Sequence, residues 1–366
     1  MASRQTIVFV GGGHAHLYAL RRVPRLIERG LDVVLVNPSP HLEYSGMATG
    51  VISGYYTPDQ YRIDVQSLVV KGGGRFVKDS VVRILADENR LVLGDGSSLR
   101  YDAASFCIGG EVEIGANVVD GGIAIPVKPV SNARRIRDLL KRPDLRVVVA
   151  GGGAAGCEVA ANAAQRLDTS NPKASLTLVE SGPELLEAGP RKARRAISSY
   201  LRDNGVETIL NSRVESFKEG TVSLDSGCGL SADALILATG SVPPPLFSRS
   251  GVLTGEGGGL WTDHYLRSPS HPNLFGGGDA ISFRGARLPG LGVHAIRQGP
   301  ILFHNIQAYL LNEASKAFVP QQRYLYVLNL GDGTGLGIRG DISWKGRSAM
   351  TLKDFIDQRF INEYSR

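Results

Sequence analysis

Only three of the 366 residues are cysteine, and Cys107, Cys157 and Cys228 lie far apart in the chain. Such spacing offers no disulfide framework and no metal-ligand pairing, and it fits a reducing, intracellular compartment. Long apolar runs are absent as well: nothing approaches the roughly 20 residues that a helix needs to cross a bilayer. No basic-then-apolar leader precedes the first strand-like segment at 6–10, so no signal peptide is expected. Nor is charge of one sign concentrated anywhere. Lys and Arg number 41 against 35 Asp and Glu, a formal net charge of +6 spread along the chain. No basic stripe is interleaved with aromatics, which argues against nucleic acid as a partner. The surplus permits attraction to an anionic membrane without requiring it. The expected location is cytoplasmic, either free or peripheral on the inner face of a membrane.

What the chain has in abundance is glycine, 46 residues, much of it in runs at 11–13, 72–74, 151–153, 257–259 and 276–278. The second and fourth runs read well as flexible connections. Each of the other three follows an apolar, strand-like stretch, where glycine lets backbone approach backbone or ligand closely. A chain of this length suits two or three domains, and it reads as two similar halves. In the first, a strand at 6–10 enters Gly11-Gly12-Gly13-His14-Ala15-His16, and a helix continues to about residue 27. A strand at 32–36, a β-rich stretch at 75–93 and a closing strand ending on Gly109 follow. In the second half, a strand at 146–150 enters a turn with Gly151, Gly153 and Gly156, and a helix continues to about 167. A strand at 175–179 then ends on Glu180, and a helix at 192–203, a β-rich stretch at 208–224 and a closing strand ending on Gly240 complete the repeat. Strands alternating with helices predict a mostly parallel sheet, and a repeat this long is a duplicated domain, so the fold class is α/β with two Rossmann-like units.

A glycine-rich turn between strand and helix turns backbone N–H groups toward a pyrophosphate, and the helix dipole favours the anion. Gly151, Gly153 and Gly156 match the dinucleotide fingerprint completely. Glu180 ends the next strand, where a carboxylate binds ribose hydroxyls and repels a 2′-phosphate, favouring NADH over NADPH. Arg191, Lys192, Arg194 and Arg195 read as a solvated basic helix face. Glu158 either points toward a nicotinamide or simply suits its helix N-terminus. The first turn departs from the pattern. Gly11 and Gly13 are present, but His16 replaces the third glycine, and its bulk is expected to push the helix from the sheet. Asn37 stands where the acidic residue is expected; it still hydrogen-bonds a hydroxyl, without the charge. A third turn, ending Gly278-Asp279, places a carboxylate where it can accept hydrogen bonds from a sugar or ribityl chain, and a helix is predicted from about 293 to 310.

Together these residues resemble the FAD-dependent pyridine-nucleotide oxidoreductases, in which a split FAD domain contains an inserted NADH domain. The resemblance implies an FAD domain at 1–120 plus 243–318, an NADH domain at 121–242 and a C-terminal extension at 319–366 formed by a short β-hairpin and a helix. It covers essentially the whole chain. The first glycine turn, Tyr44-Ser45-Gly46-Met47, Pro126-Val127-Lys128-Pro129, His294-Ala295-Ile296-Arg297-Gln298-Gly299-Pro300 and Leu328-Asn329-Leu330-Gly331-Asp332-Gly333 look like the type II NADH dehydrogenase branch, in particular flavoproteins found fused to selenophosphate synthetase. For that branch His16 and Asn37 are ordinary. The likeness implies FAD contacts at Gly11, Gly13, His14, Ala15, Asn37, Ser45, Gly46, Met47, Gly109, Gly278 and Asp279, with Val81 lending backbone to the adenine. It implies NADH contacts at Gly151, Gly153, Gly156, Glu158, Glu180 and Gly240.

The implied reaction passes hydride from NADH to flavin and electrons onward, with the cofactors carrying the chemistry. Lys128 is the candidate positive charge near the flavin, or else a surface lysine. Gln298 resembles a glutamine beside flavin and quinone. His294, one turn earlier, either supplies a proton to the acceptor or is a hydrogen-bonded helix-start histidine. A quinone is the expected acceptor; the alternatives are a protein carrier or small oxidant, or a flavin-binding regulatory module without turnover. The residues after the second strand contain no cysteine pair, so thiol–disulfide exchange with the flavin is not expected. For Cys107 and Cys157 the favoured reading is a small buried hydrophobe, which disfavours sulfide:quinone chemistry. Near the C-terminus Leu352, Phe355, Ile356, Phe360 and Ile361 fall near helical spacing opposite Lys353, Asp354, Asp357 and Arg359. Such a helix lies on a membrane, packs on its own protein or joins a homodimer.

Overall fold

The computed structural model describes residues 4–112, 119–120, 122–167, 171–286, 288 and 290–365. Two five-stranded parallel sheets dominate. The first orders its strands as Leu274–Gly276, Ala103–Phe106, Gln5–Val10, Leu31–Val36 and Arg75–Val77. The second orders them as Ile123–Pro126, Ala234–Leu237, Arg146–Ala150, Ser175–Val179 and Val206–Ile209. Parallel strands covered on both faces read as continuous apolar runs, and Ile7, Val8 and Phe9 in one sheet and Val147, Val148 and Val149 in the other are almost fully buried. The strand Leu274–Gly276 pairs with Ala103–Phe106 only after the whole second sheet has intervened in sequence. Each sheet is flanked by an antiparallel meander: Val81–Leu85, Arg90–Leu93 and Ser98–Arg100 on one side, and Val214–Lys218, Thr221–Leu224 and Gly229–Ser231 on the other.

The helix expected to run to about residue 27 is broken in two, His14–Leu20 and Val23–Glu28. Pro24 has no N–H to offer the Leu20 carbonyl, so one continuous helix is disfavoured. The C-terminal hairpin gains a third strand. Leu325–Asn329, Gly335–Arg339 and Ile342–Gly346 form an antiparallel sheet, followed by the helix Arg347–Tyr364.

That last helix turns much of its apolar stripe outward, an orientation the sequence leaves open among a membrane, the protein itself and a second copy. Lys353 and Asp357 are buried, whereas Leu352, Phe355 and Ile356 are 36%, 64% and 42% exposed. The inner face is held by polar contacts. Lys353 Nζ donates to the Gly46 carbonyl at 2.5 Å and pairs with Asp357 at 2.7 Å, and the Tyr44 hydroxyl donates to Asp357 at 2.9 Å. The hydroxyls of Tyr55 and Tyr56 both donate to Asp354. Buried charges persist only when paired and hydrogen-bonded, and here the Gly46 carbonyl and the Tyr44 hydroxyl complete the Lys353–Asp357 pair. Phe360 and Ile361, from the same stripe, turn inward, with Phe360 packed 4.8 Å from the Tyr44 ring.

Candidate nucleotide and electron-transfer site

Both glycine turns are close-packed in the same way. Gly11 has φ +85° and lies against the Cys107 carbonyl; a Cβ on Gly13 would stand 2.5 Å from both the oxygen and sulfur of Cys107. Gly151 has φ +102° and a Cβ there would stand 2.5 Å from the Ala238 carbonyl, while a Cβ on Gly156 would collide with the Gly151 carbonyl. In each half the middle glycine donates its N–H to the side chain that ends the second strand: Gly12 to Asn37 Oδ1 at 2.9 Å, and Gly152 to the Glu180 carboxylate. Glu180 also accepts from Gly182 N at 2.7 Å. Asn37 therefore performs the structural part of the carboxylate's role.

His16 does not push its helix away. The buried ring fills the space a glycine would leave, with Nδ1 2.6 Å from the Gly11 carbonyl and Nε2 2.8 Å from Ser105 Oγ. Burial pulls its pKa down to about 4, so the ring is neutral with one N–H; because a carbonyl only accepts, Nδ1 donates to Gly11 and Nε2 accepts from the Ser105 hydroxyl.

The third turn closes over the first. A Cβ on Gly277 would stand 2.8 Å from the Ala15 methyl, and Gly278, at φ +70°, donates its N–H to Gln298 Oε1 at 2.7 Å. Gln298 and His294 project from the helix Gly292–Leu310 and both are buried. A Cβ on Gly292 would lie 3.8 Å from Ser45 Oγ and 3.9 Å from the His14 ring, so His14, Ala15, Ser45, Gly278 and Gln298 converge. Asp279 is ion-paired with Lys128, whose Nζ also donates to Ser241 Oγ at 2.8 Å. Gly109 and Gly240 have φ +74° and +109°, conformations that end their strands without steric cost. Val81 begins the meander and, partly buried, packs against the apolar cluster that contains Val10 and Val36. Met47 is fully buried in the helix Ser45–Ser53. Glu158 lies apart from that group: its Oε1 accepts the Asn329 N–H at 2.8 Å, and burial, partly offset by Lys353, raises its pKa.

Orphaned polar atoms test whether this cradle fits a bound group. His14 Nε2, both ring nitrogens of His294, Gln298 Nε2 and Asn329 Nδ2 are shielded from solvent and lack a partner. Native interiors rarely leave such groups unsatisfied. The orphans of His14, His294 and Gln298 belong to the first cradle and its closing helix and fit a polar bound group there, whereas Asn329 lies beside Glu158. Burial lowers the pKa of His14 to about 4 and that of His294 below its ordinary value. Sequence reasoning missed Ser241 and the carbonyl of Cys107, and met Asn329 only inside the 328–333 motif. Ser241 carried a signal of its own, its position directly after a strand-ending glycine.

Cys107 and Cys157 are buried, and burial raises both thiols to about 12, while Cys228 is exposed. At pH 8 a thiol of pKa 12 is thiolate in only on the order of one molecule in ten thousand. Titration of the native protein with a thiol-specific disulfide reagent at pH 8 should therefore report one fast thiol, lost in Cys228→Ser. Two or three fast thiols would contradict this burial.

The model of the pyridine nucleotide-disulphide oxidoreductase family matches residues 5–299. The chain belongs to that family. Among its relatives, the alternative NAD(P)H-ubiquinone oxidoreductase C1 of Arabidopsis thaliana is 25% identical, over 91% of this chain and 72% of that one. The structure resembles NDH2 from Plasmodium falciparum in complex with NADH, with a TM-score of 0.83, 14% identity and coverage of 98% and 96%. It also resembles the sulfide:quinone oxidoreductase of Aquifex aeolicus, with a TM-score of 0.84, 16% identity and coverage of 99% and 91%. At those identities the two structures share a fold with this chain.

Proposed function

We propose that this protein is an FAD-dependent NADH oxidoreductase that delivers electrons to a quinone. The carrying observation is the pair of equivalent glycine cradles, one closed by Gly278-Asp279 and Gln298 and the other lined by Glu180. The relative named for NAD(P)H and ubiquinone supports both the donor and the acceptor class. FAD belongs in the first cradle, between Gly11, Gly13, His14 and Ala15 on one side and Ser45, Gly46, Asp279 and Gln298 on the other. Bound FAD supplies a two-electron redox centre between donor and acceptor. Gly151, Gly153 and Gly156 hold the NADH pyrophosphate, and Glu180 selects against a 2′-phosphate. The two units divide as 1–120 with 243–318, and 121–242, with 319–366 joined to both.

His294 is neutral near pH 7, since its pKa lies below the ordinary imidazole value. It therefore offers an N–H and a lone pair to an acceptor oxygen rather than a proton from an imidazolium. Burial raises the Cys107 thiol to about 12, which disfavours the thiolate that sulfide chemistry would use. The test is anaerobic reduction of the yellow protein by NADH, followed by separate challenge with a soluble quinone analogue, a protein carrier and sulfide. Bleaching by NADH and fast reoxidation by the quinone alone support the reading; reduction by sulfide, or no response to NADH, overturns it.

Peripheral membrane association is part of the same proposal. Among the described residues no helix is long and apolar enough to cross a membrane. The outward face of the last helix, with Leu352, Phe355 and Ile356 beside exposed Arg359, suits the boundary between acyl chains and anionic headgroups. Phe355→Asp with Ile356→Asp should lower co-sedimentation with anionic vesicles at least tenfold. Unchanged binding, or a concentration-dependent dimer abolished by the same change, would place another occupant on this face.

A further inference from the structure

The two units are connected by a pair of crossing segments that meet beside the cofactor cradle. Glu111 and Val242, one on each crossing, exchange backbone hydrogen bonds at 2.8 and 2.9 Å. Gly110 is packed so tightly there that a Cβ would collide with Ser241 Oγ and approach Asp279 Cβ to 3.2 Å. Directly across this junction runs the Lys128–Asp279 ion pair. Lys128 follows the strand Ile123–Pro126 of the second sheet, and Asp279 follows the strand Leu274–Gly276 of the first. Lys128 also donates to Ser241, on the returning crossing, at 2.8 Å. Both charged side chains are about three-quarters shielded, at 24% and 23% exposure, so their attraction is screened less than that of a surface pair.

We infer that Lys128 is a positioning residue that the NADH-binding unit supplies to the FAD cradle. It holds the Asp279 carboxylate at the first site and, through Ser241, fixes the junction between the units, so the cradle is complete only when the second unit is docked. This rests on the reading of the first cradle as the FAD site, but its junction half does not require any cofactor. A mere surface lysine would be free of Ser241 and Asp279. A lysine serving only as a local counter-charge would come from the same unit as the carboxylate. A second polar link between the units, from Arg134 to Glu43 and the Tyr61 hydroxyl, ends elsewhere than on the third turn and provides a control.

The experiment compares Lys128→Gln, Lys128→Arg, Ser241→Ala and Arg134→Gln in the full-length protein. Hydrogen exchange at the Glu111 and Val242 amides is read on FAD-free protein, and FAD dissociation is read by recovery of flavin fluorescence. Lys128→Gln should speed exchange at both amides about tenfold and weaken FAD binding about tenfold or more. Lys128→Arg should restore both to within about threefold, because a guanidinium still pairs with the carboxylate. Ser241→Ala should affect exchange more than FAD binding. Arg134→Gln should leave FAD binding within about threefold of wild type. Unchanged exchange in Lys128→Gln, or an equal loss of FAD affinity in Arg134→Gln, would overturn the inference. If wild type itself bound no FAD, the flavin reading would fail, while the exchange result would still decide the junction claim.

Discussion

Gly13→Val should yield a folded, colourless protein. The glycine lies at the N-terminus of the helix His14–Leu20, and a Cβ at this position would stand 2.5 Å from the Cys107 carbonyl oxygen and from its sulfur. The carbonyl cannot yield easily, because it belongs to the backbone that leads out of a buried strand, and the sulfur belongs to a buried side chain. Relief requires the turn to move away from the third turn, which opens the cradle where backbone N–H groups are to meet a pyrophosphate. FAD affinity should fall by at least about 100-fold, whereas circular dichroism should stay native-like because the core strands keep their contacts. Retention of stoichiometric flavin through gel filtration would show that the phosphate does not sit on this turn.

Gly156→Val should give the complementary phenotype, a yellow protein that NADH no longer bleaches. A Cβ on Gly156 would collide with the Gly151 carbonyl, and Gly151 in turn lies against the Ala238 carbonyl at φ +102°. The helix Ala154–Ala164 must then lift from the second sheet and carry its N-terminus away from the donor. The rate constant for anaerobic reduction at fixed NADH should fall at least about 100-fold, with flavin content and quinone reoxidation after chemical reduction both preserved. Loss of flavin with loss of reduction would mean that the two cradles do not act separately.

Both turns were legible in the sequence because their signal is local. Glycine at fixed offsets after an apolar strand has few structural meanings, and Gly11, Gly13, Gly151, Gly153 and Gly156 all lie in strand–turn–helix settings. The helix ends near 203 and 310 were also read closely, since apolar periodicity fixes them. The orientation of Arg347–Tyr364 was not legible. Its apolar residues do form a stripe, but what selects the buried face is a set of acceptors and donors far away in sequence: the Gly46 carbonyl and the hydroxyls of Tyr44, Tyr55 and Tyr56. His16 was misjudged for a related reason. Its bulk is visible in the sequence, whereas Ser105, which accommodates the ring, comes from a strand 89 positions later. The break before Pro24 was readable from backbone chemistry alone, whereas the third C-terminal strand, five residues like its two partners, was passed over.

The order of strands in the first sheet has a consequence for synthesis on the ribosome. Ala103–Phe106 acquires its outer neighbour only when Leu274–Gly276 has been made, whereas every strand of the second sheet lies earlier in the chain. A nascent chain halted before Leu274 would carry one finished sheet and one with a bare edge, a template for pairing with other chains. The inner unit can mature while the outer one waits for its last strand, and premature termination in that interval should favour aggregation over partial activity.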